Sequence, residues 1–89
     1  HYSPGIPIRL NVKKLKKNEA YLLINKKKET KSNYYFLSKN GDLKEAARNL
    51  YSILREIKKN KYKSIAVGKI PDKGLGKTIN DRLLRASKF

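Results

Sequence analysis

Gly76-Lys77-Thr78 is the first string in this chain whose residue types could do chemistry. Glycine, lysine and a hydroxyl residue in that order close the loop that wraps nucleotide phosphates, where backbone amides and the lysine hold the anion. That loop also needs a glycine five positions before its last one. Position 71 is Pro, which has no amide to offer. Gly74-Leu75-Gly76 opens a dinucleotide fingerprint, but the final glycine position holds Ile79. The spacing instead predicts a tight strand-to-helix turn with Thr78 as N-cap. A helix N-terminus there could still meet an anion or phosphate through Gly76, Lys77 and Thr78.

The other chemical side chains are sparser. The seven carboxylates are Glu19, Glu29, Asp42, Glu45, Glu56, Asp72 and Asp81, and no two are spaced for general acid–base work. Asp42 and Asp81 read as cap residues, and three of the others sit in basic surroundings as ordinary surface partners. Cysteine is absent, which excludes a disulfide framework, a thiolate zinc site and a cysteine nucleophile. His1 is the one histidine, so a multi-histidine metal site is excluded, and the serines have no other base to activate them. Tyr34, Tyr35 and Phe36 on a strand could stack bases. The glycine-aromatic signature of sheet-surface RNA binders is missing, so core packing with a solvent-facing phenol is expected. Nothing in the chain alone is a catalytic centre.

The elements that would position these residues must fit in 89 residues, which is room for one small domain. Lys plus Arg total 23 against 7 Asp plus Glu, a formal charge of +16. Phosphate neutralisation by such a surface supports nucleic-acid binding without base readout. Yet 18 of the basic residues are Lys and 5 are Arg, the better bidentate reader. Lys, Asn, Ile and Tyr make up 40 of the 89 residues, all with AT-rich codons. Codon bias and a selected basic surface both remain open. No apolar run approaches the roughly 20 residues of a membrane span, and no signal-peptide pattern is seen. The expected partners therefore include no membrane, and the expected location is the cytoplasm. The start, His-Tyr-Ser-Pro, has no initiating methionine, so a piece of a longer protein is expected.

Residues 1–7 read as an extended linker, with Pro4 and Pro7 biasing Ser3 and Ile6 away from helix. Residues 6–12 alternate as a strand. Ala20 to Ile24 form a continuous apolar strand and Tyr34 to Leu37 an aromatic one. Asp42 with Glu45 caps a helix over 42–58, its inner stripe being Leu43, Ala46, Ala47, Leu50, Leu54 and Ile57. Ile65 to Val67 make a fourth strand, and a second helix starts near Leu75 or Thr78. The 34–68 stretch should be a parallel strand–helix–strand crossover. The connections at 13–19 and 25–33 are too short for crossover helices. Strands one and two, and strands two and three, are therefore expected to be antiparallel neighbours or not adjacent. The fold class is α/β: a two-layer or three-layer sheet of about four strands with two main helices.

Two stretches are more specific. His1-Tyr2-Ser3-Pro4, followed by Pro7-Ile8-Arg9-Leu10, resembles the linker after the catalytic domain of longer threonylcarbamoyl-AMP synthases. Asn49-Leu50-Tyr51 with Leu54-Arg55, then Gly74-Leu75-Gly76 with Ile79-Asn80-Asp81-Arg82-Leu83, is similar to that family's C-terminal domain. The resemblance implies a small Rossmann-like accessory domain over 8–89 with the linker end over 1–7. It implies no catalytic residue here. The parent would convert ATP, L-threonine and bicarbonate to threonylcarbamoyl-AMP and pyrophosphate, for N6-threonylcarbamoyl modification of adenosine in tRNA. The implied partner is an upstream YrdC-like catalytic domain, and tRNA is carried as a second. No cofactor is implied in this piece; ATP and Mg belong to the parent. His1 and Tyr2 would end the lid over the nucleotide site. The longer helical insertion after the family's first strand is missing. The alternative reading is a stand-alone basic RNA-binding module.

Overall fold

A computed structural model describes residues 5–87. The order is β1 (Ile8–Arg9), β2 (Glu19–Asn25), β3 (Tyr34–Ser38), α1 (Leu43–Lys59), β4 (Ser64–Val67) and α2 (Leu75–Ala86). The strands form one sheet in the order β1-β4-β2-β3, with every neighbouring pair parallel. This is an α/β fold of four strands and two helices. The expected first strand shrinks from 6–12 to two residues, because Asn11 takes a positive φ of 54° and turns the chain off the sheet.

The connections overturn one expectation. β1 and β2 are not adjacent, since β4 lies between them, but β2 and β3 are parallel neighbours despite a connection of only residues 26–33. The register explains how. Tyr21 pairs with Tyr34 and Asn25 with Ser38, so the chain must climb back only four residues, about 13 Å at strand rise. An extended loop spans that without a helix.

Both helices pack on one face of the sheet. Alternation turns Ala20, Leu22, Tyr35, Leu37, Ile65 and Val67 toward them, where they join Leu50, Leu54, Ile57, Ile79 and Leu83 in one core. The architecture therefore has two layers. The α1 stripe is buried at Ala46, Leu50, Leu54 and Ile57, as its helical spacing predicts. Asp42 is its N-cap, accepting from the amides of Lys44 (2.9 Å) and Glu45 (3.4 Å).

α2 starts at Leu75, the earlier of the two expected positions, but its cap differs from the sequence expectation. Its N-cap is Gly74, not Thr78, and no side chain caps it. Thr78 and Asp81 lie inside the helix, so they are no cap pair. Gly74 has φ 56° and ψ −134°, a conformation open essentially to glycine alone.

Candidate functional site

The N-terminal segment enters the sheet at its β1 edge and is fastened there. The Ile65 amide donates to the Pro7 carbonyl (2.8 Å), and Ile8 and Arg9 pair with Ile65 and Ala66 of β4. Arg9 points to the face away from the helices. Its guanidinium grips Glu19 at the start of β2 with two bonds: Nε to Oε2 at 2.9 Å and Nη2 to Oε1 at 2.6 Å. The Glu19 side chain is fully buried and that of Arg9 is one-third exposed.

Glu19 has its oxygens satisfied from two more directions. The Lys16 amide donates to Oε1 (2.9 Å) and the Ser64 hydroxyl to Oε2 (2.7 Å). Arg9 Nη2 also donates to the Lys14 carbonyl (3.3 Å). One carboxylate thus joins β1, the 10–18 loop, β2 and β4. The Arg9 hydrogen bonds hold the Glu19 carboxyl down at about 2 from an ordinary 4.5, with Ser64 and the Lys16 amide assisting against burial. The same pair raises Arg9 further above its usual value. This arrangement is chemically inert; it fastens β1 to the 10–18 loop, β2 and β4.

Sequence reasoning counted Glu19 among the unremarkable acids. The available signal was its place directly before the apolar run Ala20–Ile24, where an acid in a strand must find a buried partner, and Arg9 lies in the strand that precedes it in the sequence.

The other sequence candidates lie elsewhere. His1 and Tyr2 fall outside the described residues. Gly76, Lys77 and Thr78 occupy the first turn of α2, and their amides donate to Lys73 O, Lys73 O and Gly74 O. Lys77 is exposed on that turn and Thr78 half-buried. Gly76 is glycine for a packing reason: a Cβ would collide with the Pro71 carbonyl oxygen. Tyr34, Tyr35 and Phe36 split by alternation. Tyr35 enters the core, accepting from Asn60 Nδ2 (2.7 Å) and meeting Tyr62 edge to face. Tyr34 and Phe36 face the opposite side. Among the described residues, no three His, Cys, Asp or Glu side chains are grouped to hold a metal ion, and no helix is long and apolar enough to cross a membrane.

The motif residues that carried the family resemblance turn out to build this frame. Leu50, Leu54, Ile79 and Leu83 are fully buried. Asn49 Nδ2 donates to the Leu37 carbonyl (3.0 Å), tying α1 to β3. Asn80 Nδ2 donates to the Ile70 carbonyl (3.1 Å), tying α2 to the turn after β4. No curated protein and no solved structure matches the chain. A family match does exist, to the threonylcarbamoyl-AMP synthase C-terminal domain, and it covers residues 1–88. With that coverage, and with the motif residues holding the helices to the sheet, the chain belongs to the C-terminal domain family of threonylcarbamoyl-AMP synthases.

Proposed function

We propose that this chain is the non-catalytic accessory domain of a threonylcarbamoyl-AMP synthase, and that it works by holding linker 1–7 in place. The upstream partner is a YrdC-like catalytic domain in the same chain. That domain would join L-threonine, bicarbonate and ATP into threonylcarbamoyl-AMP, releasing pyrophosphate and water. The product serves threonylcarbamoyl modification of adenosine in tRNA, in the cytoplasm. ATP and Mg would sit in the upstream domain.

The observation that supports the reading is the anchor. β1 is the continuation of the linker, and the buried Glu19 carboxylate at the start of β2 ties it to the 10–18 loop, β2 and β4. A carbamate intermediate is labile in water, so a lid over the site has a chemical purpose. A lid needs a fixed hinge, and the fixed hinge supplied here begins at Pro7. His1 and Tyr2 would form the part of the lid nearest this hinge.

The test compares pyrophosphate release by the full-length parent with that of a version ending just before His1. The expected result is a loss of about 10- to 100-fold, the scale of mispositioned catalytic geometry. The upstream domain must keep its thermal midpoint for the comparison to count. Unchanged turnover contradicts the accessory role.

A further inference from the structure

The sheet face away from the helices is covered over only half its width. The 10–18 loop lies over the β1–β4 half: the Val12 amide donates to Val67 O (2.8 Å), Val12 is buried, and Arg9 and Glu19 hold Lys14 and Lys16. The β2–β3 half carries Tyr21, Leu23, Tyr34 and Phe36. Tyr21 and Tyr34 meet edge to face with centroids 5.2 Å apart, and Tyr34 and Phe36 do so at 6.5 Å. The three rings form a row across two strands, each half-buried and none under a helix. Parallel sheets occur almost only with both faces covered. This half is therefore the open part of that face, its rings standing around a buried Leu23 and the Tyr21 hydroxyl donating to the Val12 carbonyl (3.4 Å).

Its borders say what kind of partner fits it. Beside β3 runs a groove of about 750 Å³, where Tyr34 and Phe36 are joined by Lys26, Lys31 and Lys39. At the carboxyl ends of β2 and β4 lies a second, of about 460 Å³, where Tyr21 and Leu23 are joined by Lys27 and Lys69. No carboxylate lines the second groove. Glu45 and Glu56 reach the first one from α1, the side away from the rings. Glu19, the acid of β2, is committed to Arg9 and Ser64.

From this we infer that the Tyr21–Tyr34–Phe36 row is a stacking platform for a single-stranded nucleic-acid segment, with Lys26, Lys27, Lys31, Lys39 and Lys69 taking its phosphates. Rings accept any base, because every base has a π-face, and flanking ammoniums track the backbone. A duplex hides its base faces and gains the electrostatic part alone. The lysine excess then has a place to act, and the aromatic strand acquires a role that its sequence signature did not announce. The inference is independent of the linker anchor, since β1 and β3 are opposite edges of the sheet.

The experiment titrates the full-length parent into a fluorescein-labelled oligouridylate about twelve nucleotides long, followed by anisotropy at several salt concentrations. Tyr34→Leu with Phe36→Leu keeps apolar bulk but removes two stacking faces. It is expected to weaken binding about tenfold or more with the salt slope unchanged. Lys26→Gln with Lys27→Gln should instead flatten the log–log salt slope, by up to roughly 0.7 per lysine lost. A duplex of equal length should bind more weakly than the single strand. Equal binding by the leucine pair, or by the duplex, overturns the platform in favour of lysine electrostatics alone. Absence of binding at low salt overturns it as well, and so does solvent protection of the three rings in the free parent, which would mean that the upstream domain covers them. A readout that needs no variant is the ring-proton shifts of Tyr21, Tyr34 and Phe36 on adding oligouridylate, whose absence also rejects the proposal.

Discussion

Glu19→Gln is expected to lower the stability of this domain by about 2–3 kcal/mol, because it leaves a guanidinium without its buried counter-charge. The partial exposure of Arg9 keeps the figure at the lower end of the range for broken pairs. In a domain of this size that shifts the thermal midpoint by roughly 10–20 °C. The acid dependence follows from the same carboxyl. Its folded value of about 2 lies below its ordinary 4.5, so its stabilisation is complete above pH 4.5. It drains away as pH falls from 4.5 toward 2, where the folded state must take up the proton. Melting curves between pH 2 and 7 should show wild type losing its midpoint advantage over Glu19→Gln in that window. Parallel curves for the two proteins would show that the carboxylate does not hold the linker strand.

Gly76→Ala is the second large effect, with an expected loss of about 2–4 kcal/mol. The added methyl meets the Pro71 carbonyl, a backbone atom that cannot swing aside as a side chain can. The turn between β4 and α2 would have to open, and with it the Asn80 bond to Ile70. Gly74→Ala separates space from conformation. No atom lies within 4 Å of its Cβ position, so its cost is the positive φ alone, about 1–3 kcal/mol. Denaturant midpoints of the two variants check the ranking. A harmless Gly76→Ala would return the Gly74–Thr78 string to consideration as a ligand loop rather than a packing device.

The parts of the fold that were legible in the sequence are those governed by local rules. The α1 stripe and its Asp42 cap follow from period and from a side-chain oxygen at the right offset. Strand positions followed from apolar runs. What could not be read was set by geometry between elements. The parallel β2–β3 pairing depends on a register that shortens the return path, and register is not written in either strand alone. The need for glycine at position 76 comes from a close approach to the Pro71 carbonyl that no propensity describes. Core packing with a solvent-facing phenol is what the sequence leads one to expect of Tyr34, Tyr35 and Phe36, and alternation sends Tyr35 to the core and leaves Tyr34 and Phe36 on the other face. Tyr21, in a different strand, completes the row only once β2 and β3 are known to be neighbours. Arg9 and Glu19 are ten residues apart in sequence and are joined only after β4 is inserted between their strands.

The central claim is that the domain acts through a rigid connection to its linker. The most direct measurement inserts a flexible Gly-Ser spacer, about twenty residues long, between Gly5 and Ile6 of the full-length parent. Both domains and every anchor contact from Pro7 onward stay in the chain, and the linker loses its fixed hinge. Pyrophosphate release with ATP, L-threonine and bicarbonate is then compared with that of the unmodified parent. The account predicts that turnover falls about tenfold or more, toward the level of the truncated enzyme, with both thermal midpoints unchanged. Full turnover with the spacer in place would contradict it, because a domain that can be set loose at no cost holds nothing in position.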